Sequence, residues 1–262
     1  MRTARLLLVL TLSMFSCGAL AQLTEIARYR LGEADPGAAP GAPGAAITID
    51  SAGAFDLTRI AAPTYSANSA PISSLAMAFD GVSDGYRFAA PLSVATDNFG
   101  IEAWVYSTTT AGNAVIAYNG NTGASGWGLF RAGATYGYLY GGVILGGSAP
   151  VQLNTWTHIA LVRDSGVTTF YVNGRVNDTN GSGPNAPAGG FGLGINPTVA
   201  QEFHGGNIDE VRAFTFAPGS FSPALLLLPA APGIPASSWN TLLMMALLIA
   251  AAGFAALRRR PS

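Results

Sequence analysis

Three tyrosines at alternate positions, Tyr136, Tyr138 and Tyr140, are the side chains of this sequence best suited to hold a ligand. Residues two apart on a strand share a face, so the run TYGYLY would present three phenol rings side by side. A flat ring with a hydroxyl at its tip suits the apolar face and polar edge of a sugar. Trp127 could join them from a neighbouring strand. The opposite face offers only Gly137, Leu139 and Gly141, thin filling for a core. The alternative is that the rings themselves fill the interior.

Catalytic carboxylates form a second candidate. Glycoside hydrolysis uses two carboxyl groups about 5 to 10 Å apart. On one strand they would stand at i and i+2 or i+4. Glu102 has no such partner; Trp104 and Tyr106 follow it on its face. Asp209 and Glu210 are adjacent, which directs them to opposite faces of a regular strand. His158 and His204 are far apart in sequence, and His158 falls mid-strand, where packing is the plain role. The sequence has no phosphate-binding loop, dinucleotide fingerprint or serine nucleophile elbow.

The elements that must position these residues are short strands. Residues 156–174, WTHIALVRDSGVTTFYVNG, read as two strands about the turn Asp164-Ser165-Gly166. The second strand, residues 167–172, is almost wholly β-branched or aromatic and stops at Asn173-Gly174, a strong hairpin signal. Further strands are predicted at residues 23–30, 76–79, 86–88, 99–106, 115–118, 126–131, 136–140, 191–195 and 207–214. On the 99–106 strand Ile101, Ala103 and Val105 share one face. Residues 35–46 and 181–190 are Gly/Pro loops, and the 33 glycines of the chain suit many tight turns. Many short strands at near-regular spacing predict an all-β antiparallel sandwich.

Three segments carry a family resemblance. WTHIALVR followed by FYVNG (156–163 and 170–174), FGIEAWVY (99–106) and GNIDEVR (206–212) occur in the order found in laminin-G-like jelly-roll domains. The sequence thus resembles that concanavalin A-like group over roughly residues 22–228, with Asp50-Ser51-Ala52-Gly53 and the ending 216–221 also family-like. The resemblance implies a jelly-roll β-sandwich, a fold that hosts lectins, adhesion modules and glycosidases. The E-x-D-x-x-E arrangement of the β-glucanases it resembles is absent around Glu102. The resemblance also implies a structural Ca²⁺ at the sheet edge, held by oxygen ligands, for which Asp209 and Glu33 are the candidates. A solvent-exposed or Arg-paired Asp209 is the alternative.

Composition sets the setting. The chain has 262 residues, 49% of them hydrophobic and only 10% charged, enough for one sizeable domain plus ends. Residues 1–21 read as a secretory signal: Arg2 and Arg5, an apolar run, then Ala19-Leu20-Ala21. The single cysteine, Cys17, lies inside it, so the mature domain would have no disulfide. All 13 basic residues are arginines, and all 14 acids fall between Glu25 and Glu210. Without the two signal and three C-terminal arginines, eight remain against the acids, a net charge near −6. An anionic domain without a basic stripe is a poor nucleic-acid binder.

At the other end, residues 229–238 form a Pro/Ala/Ser linker and residues 239–257 are uncharged, roughly 28 Å as a helix and enough to span a bilayer core. Arg258, Arg259 and Arg260 would hold that end in the cytoplasm within the tail 258–262. Ile234-Pro235, Ser238, Trp239, the apolar segment and the arginine triplet resemble a bacterial exosortase sorting signal of the IPTL-CTERM/PEP-CTERM kind. Ala236-Ser237 stands where that family has Thr-Leu, and Trp239 lies one position nearer the proline than usual. A plain membrane anchor is the alternative. The expectation is an all-β jelly-roll sandwich with one C-terminal transmembrane helix, exported to the cell surface and handled by an exosortase-type enzyme. It would serve as a non-enzymatic binding module for a glycan or matrix protein. A structural envelope or biofilm-matrix role without a ligand is the runner-up, and glycoside hydrolysis ranks last.

Overall fold

The structure is a computed structural model that describes residues 22–229. Turn chemistry organises it. Ser165 and Gly166 have φ of 51° and 84°, and Asn173 and Gly174 have 49° and 73°. Each pair is a two-residue corner, closing Asp164 on Val167 and Val172 on Arg175. Left-handed backbone at both corner positions matches the natural twist of the flanking strands.

Sixteen strands form two antiparallel sheets of eight among the described residues. The first sheet runs β14 (Arg175–Asn180), β13 (Val167–Val172), β12 (Thr157–Asp164), β7 (Phe99–Ser107), β16 (Gly205–Phe216), β5 (Ala76–Asp80) and β4 (Thr64–Ser66). Its eighth strand, β1 (Leu23–Tyr29), also pairs with β16. Thus β16 pairs with β7 along nearly its whole length, with β5 through Gly205–Ile208, and with β1 through Val211–Phe216. The second sheet runs β11 (Val143–Pro150), β10 (Thr135–Tyr140), β9 (Ser125–Ala132), β8 (Asn113–Asn121), β15 (Gly190–Leu193), β6 (Gly85–Phe88), β3 (Leu57–Ile60) and β2 (Ile47–Thr48). Five of these strands, β2, β3, β4, β11 and β14, were not predicted from the sequence. Two are very short, β11 (VILGGSAP) contains Gly and Pro, and β14 (RVNDTN) is a polar edge strand that buries too little to show alternation.

The core lies between the sheets. Ile101, Ala103 and Val105 of β7 face it, as do Leu129 of β9 and Phe191 of β15. Tyr29 stacks on Phe191 at 5.7 Å. Gly100 is required where it stands, because a Cβ there would lie 2.3 Å from the Phe214 ring that covers it. After β16 the chain crosses the outer face of the first sheet, and Ser222 caps a short 3₁₀ turn, Pro223–Leu225. The described residues up to Leu227, 22–227, form one compact unit. No helix among the described residues is long and apolar enough to cross a membrane. The signal (1–21), the sorting motif Ile234, Pro235, Ser238 and Trp239, the apolar segment 239–257 and Arg258, Arg259 and Arg260 lie outside the described residues.

Candidate functional site

The tyrosine strand faces inward. Tyr136 and Tyr138 are 0% exposed, Tyr140 5% and Trp127 0%. Trp127, in register with Tyr140, stacks on Phe99 at 4.3 Å, and its Nε1 donates to the Ala95 carbonyl at 2.9 Å. The Tyr136 hydroxyl donates to Ser107 Oγ at 2.9 Å, and the Tyr140 hydroxyl bonds Thr168 Oγ1 at 2.9 Å. Tyr138 packs beside Tyr140 and Phe170 with its hydroxyl buried and unpartnered. Burial pushes the Tyr138 phenol up to about 12. The expected surface platform of Tyr136, Tyr138, Tyr140 and Trp127 is therefore corrected to a core wall. The face of Gly137, Leu139 and Gly141 is not thin, because Leu139 joins Val115, Tyr118 and Phe130 in a second apolar cluster. Tyr140 lines a cavity of about 200 Å³ that it shares with Val143, Leu145, Ser182 and Asn185.

Glu102 is also buried, at 0% exposure. Arg212 Nε donates to its Oε1 at 2.6 Å, and Arg212 Nη2 also pairs with that oxygen. His158 Nε2 and the Leu227 backbone N–H each donate to Oε2 at 2.8 Å. Trp104 Nε1 donates to the Leu227 carbonyl at 2.8 Å, and Arg212 Nη2 to the Leu225 carbonyl. Glu102 thus organises a latch that holds residues 225–227 on the sheet. His158 is one of its members. His204 lies elsewhere, fully buried with both ring nitrogens unpartnered, and burial and the Arg131 charge push it down to about 3.

Asp209 and Glu210 sit where the partner of β16 changes from β5 to β1. A bulge inserts an extra residue between Asp209 and Arg212, with Glu210 in left-handed backbone at φ 47°. The strict alternation expected of the pair is broken here. Glu210 takes Arg28 Nη2 at 2.7 Å and Arg30 Nε at 3.5 Å. Asp209 has no such cation. It is fully buried, its Oδ2 accepts the Ala70 N–H at 3.0 Å, and its Oδ1 the Glu210 N–H at 2.8 Å. Burial, together with the Glu33 and Glu210 charges, pushes its carboxyl up to about 8. Neither the exposed nor the Arg-paired alternative holds for Asp209.

Glu33 comes to the same place from the end of β1. Its Oε1 accepts from Ser73 Oγ at 2.6 Å and from the Ser74 and Leu75 N–H groups at 2.6 and 2.9 Å, while Oε2 is buried without a partner. Burial opposes its charge, but these hydrogen bonds hold the Glu33 carboxyl below its ordinary value. The structure therefore brings a half-buried Glu33 near the buried Asp209, with one carboxylate oxygen, Glu33 Oε2, bare. A hard cation there would take Glu33 Oε2 first, because both Asp209 oxygens and Glu33 Oε1 already accept N–H or O–H groups. No group of three His, Cys, Asp or Glu side chains converges among the described residues.

A site the sequence reading missed lies on the outer face of the first sheet. A groove of about 340 Å³ runs between the β12–β13 corner and the segment after β16. Val162, Asp164, Val167, Thr169, Tyr171 and Phe221 line it. The sequence signal was present in the alternation of Val162, Asp164, Thr169 and Tyr171, but the groove needs Phe221 from fifty residues further on.

Comparison with known proteins gives the context of this geometry. No curated protein matches the chain. Among solved structures, Domain 4 of AbnA, a GH43 extracellular arabinanase from Geobacillus stearothermophilus in complex with arabinotriose, is similar at TM-score 0.52 and 19% identity; the match covers 79% of this chain and 97% of that one. A Trypanosoma rangeli sialidase in complex with sialic acid is similar at TM-score 0.51 and 15% identity, over 78% of this chain and 33% of that one. The botulinum neurotoxin serotype D binding domain is similar at TM-score 0.50 and 13% identity, over 73% of this chain and 48% of that one. The chain therefore spans a third to a half of those two longer chains. These likenesses concern fold. The family profile of the concanavalin A-like lectin/glucanases superfamily (Laminin_G_3) matches residues 80–219, and the chain belongs to that superfamily.

Proposed function

We propose that this chain is a non-catalytic carbohydrate-binding module, exported and displayed at the cell envelope. The observation that carries the reading is the state of Glu102 within a lectin/glucanase fold. The one acid on the β7 strand is buried and bonded to Arg212, His158 and Leu227 N–H, leaving no free carboxylate pair on that strand. The likeness to an arabinanase domain crystallised with arabinotriose supports the ligand class, since this chain matches nearly all of that domain. Glu33 and Asp209 would hold a structural Ca²⁺ that ties the end of β1 to the middle of β16 and neutralises their charge. The signal-like start, the apolar segment 239–257 and the arginine triplet support export with a cytoplasmic C-terminus, and the residues 234–239 support processing by an exosortase-type enzyme.

The test is affinity electrophoresis of the full chain through arabinan, xylan, β-glucan and a bacterial exopolysaccharide, with Ca²⁺ and with chelator. The expected result is retardation by at least one polysaccharide without release of reducing ends. No retardation by any of them would favour a structural matrix role instead. Release of reducing ends, lost in a folded Glu102→Gln variant, would establish a hydrolase.

A further inference from the structure

We infer that the groove beside the β12–β13 corner is the sugar-binding subsite and that it takes a short stretch of neutral glycan. This rests on the carbohydrate-binding reading and adds a location and a ligand class to it. The floor is built by register. Val162 pairs with Thr169 and Ala160 with Tyr171, so Val162, Thr169 and Tyr171 share the outer face of the sheet. Phe221 makes the wall, its ring 6.0 Å from Tyr171 and inclined at 52°. Phe221 is itself fixed, stacked on Phe214 at 6.2 Å and 8° and packed on Phe216 at 5.4 Å. An apolar cleft bounded by two rigid rings suits the C–H face of a sugar.

The rim supplies the polar half. Asp164 accepts Ser165 Oγ at 2.9 Å and the Gly219 N–H at 2.7 Å, both on Oδ1. The carboxylate is thereby held in place, while its Oδ2 has no protein donor among the described residues. A fixed carboxylate oxygen can accept neighbouring sugar hydroxyls, as charge-assisted bonds favour. Thr169 adds a hydroxyl within the cleft. The volume of about 340 Å³ falls at the small end of ligand sites, which run roughly 300–1,000 Å³, and so fits one or two sugar residues. Asp164 would repel an anionic sugar, which makes the class neutral. The cavity at Tyr140 is smaller and has no charged side chain among its lining residues.

The experiment is titration calorimetry of the full chain in detergent with arabinotriose, xylotriose and cellotriose, and with trigalacturonate as the anionic comparison. Val167, 52% exposed on the groove edge, is replaced by Arg to block it with little cost to folding. Val143, 54% exposed at the other cavity, is replaced by Arg as the control. The expected result is that a neutral probe binds the unaltered chain and the Val143→Arg variant alike, and trigalacturonate binds neither. Val167→Arg should lose binding, and Phe221→Ala and Asp164→Asn should weaken it about tenfold, on the scale of one ring contact or one hydrogen bond. Unchanged affinity in Val167→Arg, or loss in Val143→Arg instead, would overturn the groove and leave the carbohydrate reading standing. Absence of binding by the unaltered chain to any probe would overturn the groove as a neutral-glycan subsite, and joined with no retardation by any polysaccharide it would overturn the carbohydrate reading too.

Discussion

Tyr138 shows how one residue can be read two ways and then settled by its surroundings. Its alternation with Gly137 and Leu139 was plain in the sequence, but the direction of that face depended on what lay on each side. The second sheet carries a small apolar cluster on its outer face, so the glycine-rich side of β10 does not have to form the main core. Tyr138→Ala should lower stability by about 3 kcal/mol, as large-to-small changes at buried rings do. Tyr138→Phe should be neutral or slightly stabilising, because it removes a buried hydroxyl that has no partner. Urea denaturation of both variants distinguishes this from a ligand-contact role.

Asp209 makes a pH prediction of definite sign. Its folded value of about 8 lies above its ordinary 3.8, so the folded metal-free chain keeps a proton that the unfolded chain gives up. Stability from this group is therefore full at low pH and falls as pH rises from about 4 to 8. His204 acts oppositely, costing stability as pH drops below 6.5 toward about 3. Between pH 6.5 and 8 the Asp209 slope stands clear of it. The melting temperature in chelator should decline across that window. Millimolar Ca²⁺ should raise it most at the upper end, and Asp209→Asn should flatten the profile.

At the level of elements, the hairpins were legible because their corners depend on two adjacent residues. Ser165-Gly166 sets the register of β12 on β13, and Asn173-Gly174 starts that of β13 on β14, which a bulge then shifts at Phe170. The bulge in β16 was not legible. It arises where two strands, β5 and β1, meet along one flank, and no local pattern announces that junction. The role of Glu102 was hidden for the same reason, since its partners Arg212 and Leu227 lie more than a hundred residues away. Glu102→Ala should cost about 3 kcal/mol, because it leaves the buried Arg212 guanidinium with only the half-buried Glu25 carboxylate, 3.1 Å from its Nη1. Hydrogen exchange should show earlier opening of residues 222–227 in that variant. Global unfolding with unchanged exchange there would argue against a latch.

For the whole molecule, the fold class and family were readable from three motifs in order, while the ligand groove was not, because it is assembled from distant segments. The acid-rich composition also has a structural use. Asp35, Asp50, Asp80 and Asp84 spend their oxygens on loop N–H groups or hydroxyls, so much of the negative charge is built into turns. The tail readings make a topological prediction. In intact cells, added protease should reach residues 22–229 while a tag placed after Ser262 stays protected, and mass spectrometry of the native C-terminus should show a chain shortened near residues 234–239.

The pairing of β1 with β16 carries a consequence for timing. Leu23 lies opposite Phe216, so the first strand made has its partner among the last residues of the domain. Because β16 also separates β7 from β5, its sheet stays open in the middle until that strand arrives. A chain that emerges from its N-terminus during synthesis would wait with unpaired strand edges until residues 205–216 appear. A chaperone that shields such edges should therefore limit the yield of this protein more than its final stability does.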